Sequence, residues 1–153
     1  MKIKQVSFIE TNPLQPVGPA QDLFISGASI FEITNFEPPL QRVSVVGVNL
    51  PNPGIFGPFD SYVATLTIPV DGEEPQELAS FVLEPTFNEQ IWGGSTLLDF
   101  GGTLPEINAA VRPQLDGERV GPVILEGPVV EFEDGNGEDG NGENGDEDRN
   151  GEG

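Results

Sequence analysis

The chain has 153 residues, neither cysteine nor histidine, and a formal net charge of −20. Those absences exclude disulfides, thiolate and His-assisted nucleophilic catalysis, iron–sulfur clusters and the usual zinc sites. The negative charge repels phosphate backbones and anionic lipid, so nucleic acid is not an expected partner, and no apolar run approaches the roughly 18 residues of a membrane-spanning helix.

The segment 2–9 is the first expected strand. It opens with Lys2 and Lys4 but has neither the apolar stretch nor the small-residue cleavage site of a signal peptide. The expectation is synthesis in the cytoplasm without ordinary export, with a virion or other extracellular assembly as a final location. Residues 11–20 carry three prolines and read as a long loop. Strands are then expected at 23–26, 29–36 and 42–50, followed by a second Pro/Gly-rich loop over 51–60.

Residues 61–70 give the cleanest strand pattern. Tyr62, Ala64, Leu66, Ile68 and Val70 alternate with a face of mostly hydroxyl-bearing residues, as a half-buried strand requires. Asp71-Gly72 turns this run back into 77–84. A third long loop is expected at 87–95 around Trp92-Gly93-Gly94, then a strand at 96–100. Asp116-Gly117 joins 107–115 to 118–125 as a second hairpin, in which Pro113 and Pro122 imply a sheet edge or bulges. The last strand is 129–132.

Fifteen prolines, all before residue 129, leave no room for a long helix. The resulting fold class is all-β: a single β-sandwich, Ig-like or a single jelly roll, of about 8–10 short antiparallel strands over residues 1–132. Residues 133–153 form an acidic Gly/Asn/Asp/Glu tail without one apolar residue, expected to be disordered because it has nothing to bury.

The charge divides as −12 over 1–132 and −8 over the much shorter tail. Low lysine with abundant carboxylate resembles the proteins of salt-loving organisms, where screening relieves the mutual repulsion. Arg42, Arg112 and Arg119 are rare cations in the body and are expected in ion pairs within or between subunits.

The tail repeats Asp134-Gly-Asn-Gly-Glu138 as Asp139-Gly-Asn-Gly-Glu143, and these four acids are the weak metal candidates. Started at Asp134 or at Asp139, a calcium loop would need glycine where Asp139 or Asn144 stands. Weak counterion attraction to Ca2+ or monovalent cations is the expected limit, with no cofactor. Asp60 and Asp99 are the carboxylates nearest to a candidate hydrolytic pair. Trp92 reads first as a core anchor beneath a glycine turn and second as a binding platform, with Phe56, Phe59 and Asp60 from the other loop beside it.

With no catalytic constellation in view, the expected role is non-enzymatic: a structural or assembly protein, a capsid, decoration or spike subunit or another lattice component. It would contact copies of itself or another structural subunit, with no small-molecule ligand expected for such a subunit. The alternative is a carbohydrate- or calcium-dependent binding module on the loops around Trp92.

Overall fold

Alternation of side chains organises the third strand of the computed structural model most clearly. In β3 (Gln41–Val48), Gln41, Val43, Val45 and Gly47 are buried while Arg42, Ser44, Val46 and Val48 are less so. The structure describes residues 8–34, 37, 40–86, 90–100, 104–116 and 118–130. Its other strands are β1 (Phe8–Pro16), β2 (Ser26–Ile33), β4 (Ser61–Ile68), β5 (Gln76–Pro85), β6 (Ile91–Leu98), β7 (Ile107–Leu115), β8 (Arg119–Val120) and β9 (Leu125–Val130).

Every pairing is antiparallel, and the order β4-β5-β6-β3-β2-β1-β9-β7 closes on itself because β7 also pairs with β4. The result is an eight-stranded barrel, with the two-residue β8 added to β7 beyond the end of β9. This corrects the expected open sandwich, Ig-like or jelly roll. Side-chain alternation marks a half-buried strand in either architecture; it does not reveal whether the outermost strands meet. Closure removes the unpaired edges that an open sheet would have to protect.

Two strands turn the corners. β1 pairs with β2 over Phe8–Leu14 and then with β9 at Gln15 and Pro16. β5 pairs with β4 over most of its length and then with β6 at Glu84 and Pro85. Strands that switch partners in this way join two layers into one ring. Both seams depend on a close approach of backbones. A Cβ on Gly127 would lie 2.5 Å from the Pro13 carbonyl oxygen, and one on Gly94 would lie 2.9 Å from that of Val82. Below the short β1–β9 ladder, side chains continue the joint: Asn12 Nδ2 donates to the Val129 carbonyl at 3.2 Å and Ser29 Oγ to that of Pro128 at 2.9 Å.

The expected loops are partly strand. Residues 11–16 belong to β1 despite Pro13 and Pro16, because each stretch of β1 is hydrogen-bonded on one side, leaving the other side free of any need for an N–H. Only 17–20, which holds the 3-10 turn Gly18–Ala20, keeps the irregular character expected there. Likewise 91–95 is the first half of β6, its glycines tolerated because they face the β5 seam and β3. The 107–125 hairpin is not at an edge: β7 is paired on both sides. Pro113, opposite Tyr62 of β4, falls in the gap between the β9 and β8 partners of β7, and Pro122 lies in the break between β8 and β9.

The interior is filled by Leu14, Phe31, Val43, Val45, Tyr62, Leu66, Leu83, Ile107, Val111 and Leu125, all essentially inaccessible. A barrel of this strand number has room for side chains and little else. The ends and the outer face of the barrel are therefore what it can offer. Residues 17–25, 49–60, 86 and 90, and 116 and 118–124 lie at one end; 34, 37 and 40, 69–75, 99–100 and 104–106 lie at the other.

Candidate functional site

Three of the four loop residues read from the sequence come together. Phe59, Asp60 and Trp92 line one recess of about 410 Å3 at the first end of the barrel, with Asn52, Pro53 and Pro85. The segment 49–60, which carries β3 over to β4, forms one wall. There the Asn52 side chain accepts the Gly54 N–H at 2.8 Å, fixing the short 3-10 turn Pro53–Phe56. The other wall is the β5–β6 seam, where Pro85 and Trp92 are register partners.

Trp92 is 8% exposed and belongs to the core cluster. Its ring meets Tyr62 edge to face, with centroids 5.0 Å apart, and its buried Nε1 has no hydrogen-bond partner. An unmet buried donor costs about 1–3 kcal/mol. Phe56 does not line the recess. It packs from behind, 6.5 Å edge-on from Tyr62. The Phe59 ring is pinned between Gly57 and Gly121, each of whose Cα positions would put an added Cβ within 2.8 Å of it.

Asp60 also borders a second, larger feature. An open groove of about 940 Å3 runs over the outer face of β4, β5 and β7. Val63, Phe81, Val82 and Val120 give it apolar surface, while Asp60, Glu74, Glu77 and Asp116 bring carboxylates. Val82 and Val120 are about half exposed, at 48% and 46%. Arg112 stands among these acids with its Nε buried and without a hydrogen-bond partner. Of the three arginines expected in ion pairs, Arg42 makes one, 3.6 Å from Glu32 directly across the β2–β3 ladder.

Asp60 and Asp99 are not brought together. Asp60 precedes β4 at the first end and Asp99 follows β6 at the opposite end, so they cannot flank one bond. Among the described residues no three carboxylates cluster as a metal site would require. The tail acids Asp134, Glu138, Asp139 and Glu143 lie outside the described residues.

The family model described as "SPbeta prophage-derived uncharacterized protein YoqH" matches residues 6–132, which hold every described strand. The chain belongs to that family. No curated protein matches it, and no solved structure does.

In this YoqH-family chain the sequence pointed to Trp92, Phe59 and Asp60, singled out Arg112 only as an ion-pairing cation, and missed Asn52, Pro53 and Pro85 as site residues. Pro85 meets Trp92 only through the register of the β5–β6 seam, which no local pattern encodes. Asn52-Pro53-Gly54 does carry a turn signal, an Asx side chain two residues before a glycine N–H, and could have been read as a fixed wall.

Proposed function

We propose that the protein is a non-enzymatic structural subunit of a phage-type particle, a capsid, decoration or spike component. It works by holding another chain against the outer face of β4, β5 and β7. The groove on that face carries the reading: Val82 and Val120 are apolar and half exposed beside the buried, unpartnered Arg112 Nε, and carboxylates surround them. Exposed apolar surface rimmed by polar groups is a common mark of contact sites. Membership in a prophage-derived family supports the setting.

The occupant is a second copy of the chain or another structural subunit. Two chains of net charge −20 repel at low ionic strength, so self-association should strengthen when molar salt screens them. Light scattering after size exclusion tests this on the full chain in low and in molar salt, beside Val82→Lys and Val120→Lys. Oligomers that grow with salt and vanish in both variants are expected. A monomer at every salt and protein concentration would overturn the self-assembly form of the proposal.

A further inference from the structure

We infer that the recess between Trp92 and Phe59 binds one unit of a saccharide, separately from any chain held in the groove. The recess offers three kinds of group at once. Phe59, Pro53, Pro85 and the Trp92 ring supply apolar walls for the C–H face of a sugar. The Asp60 carboxylate accepts hydrogen bonds from hydroxyl groups. The Asn52 amide donates, because its Oδ1 is already engaged by the Gly54 N–H.

Trp92 adds its ring to the wall, while its indole Nε1 is fully buried and offers no accessible donor to a ligand. A ligand whose hydroxyls both donate and accept satisfies this set. A proline-rich peptide would bring carbonyls to the Asn52 amide, but its prolines have no N–H to give Asp60. The volume, about 410 Å3, falls in the lower part of the range of small-molecule sites, about 300–1,000 Å3.

The walls are also fixed before any ligand arrives. Asn52 is held by Gly54, Phe59 by Gly57 and Gly121, and Trp92 by Tyr62. Preorganisation of this kind lowers the ordering cost of binding.

Trp92 is the only tryptophan, so its indole N–H gives a single NMR signal from a ring that forms one wall of this recess. The full chain is titrated with glucose, galactose, mannose and N-acetylglucosamine, and separately with an oligoproline peptide. A saturable shift of that signal with at least one sugar is expected. Asp60→Asn should weaken it at least about tenfold, a change of about 1.4 kcal/mol, while Val82→Lys in the groove leaves it intact. The inference is overturned if no sugar gives a saturable shift with a Kd tighter than about 10 mM. It is also overturned if only the oligoproline shifts the signal, or if Asp60→Asn binds sugar as well as the unaltered chain. Because Val82 lines the groove alone, and Asn52→Asp, which keeps the acceptor for the Gly54 N–H and removes the amide donor, touches the recess alone, failure of one reading is distinguishable from failure of the other.

Discussion

The Tyr62 hydroxyl donates to the Pro51 carbonyl across 2.6 Å, tying the start of β4 to the segment that crosses the barrel end from β3. The ring is fully buried, and this desolvation pushes the phenol above its usual range. The neutral form is therefore the one the fold holds. Its contribution is complete below the ordinary phenol value of about 10 and is lost as pH rises from there toward the raised folded value. Tyr62→Phe should cost about 1 kcal/mol near neutral pH by orphaning the Pro51 carbonyl. It should also flatten the fall in stability above about pH 10. Urea melts at neutral and alkaline pH check both; an equally steep alkaline loss in the variant would refute the assignment, since Tyr62 is the only tyrosine.

The strands were legible where the pattern is local. The alternation in 61–68 and the Asp71-Gly72 turn gave the β4–β5 hairpin, and the Asp116-Gly117 pair gave that of β7 and β8. Gly72 has φ +72° and Asp116 φ +53°, the backbone those turn residues supply. What escaped was non-local. Closure depends on Gln15–Pro16 meeting Leu125–Glu126, far apart in sequence and bearing no pattern that names each other. Prolines misled at 11–16 for the same reason, since their cost depends on which side of a strand is paired.

Substituting the seam glycines tests closure. In Gly127→Ala the added Cβ would lie 2.5 Å from the Pro13 carbonyl oxygen and 3.0 Å from Leu14 Cδ2, so β1 and β9 must separate. A loss of about 1–3 kcal/mol is expected, as for other overpacked sites. Gly72→Ala is the comparison, with open space around it and only the strain of its left-handed backbone, about 1–2 kcal/mol. Amide exchange separates the two: protection at the β1–β9 seam should fall in Gly127→Ala alone. Equal protection in both variants would mean that the seam does not depend on this contact.

Gln41 is a polar residue on the inward face of β3, 3% exposed, and its Oε1 accepts the Phe100 N–H at 2.9 Å. The bond anchors the segment leaving β6 toward β7. Gln41→Leu keeps the bulk and removes the acceptor, leaving a partly buried amide unsatisfied. A cost of about 1–3 kcal/mol is expected, together with faster exchange of the Phe100 amide. Unchanged exchange there would show that another group holds the segment.

Every described pairing falls within 8–130, while the tail brings eight of the chain's twenty net negative charges. Removing 133–153 should therefore leave cooperative melting intact and the midpoint in molar salt unchanged. At low salt the shortened chain should melt at the same temperature or higher, because like charges repel across the compact state and salt no longer masks the difference. Its solubility should fall for the same reason, since net charge keeps copies apart. Calorimetry on both chains at two salt concentrations decides the matter. A shortened chain that melts without cooperativity would make the tail part of the fold; one that melts alike but precipitates earlier would place its effect in the solvent.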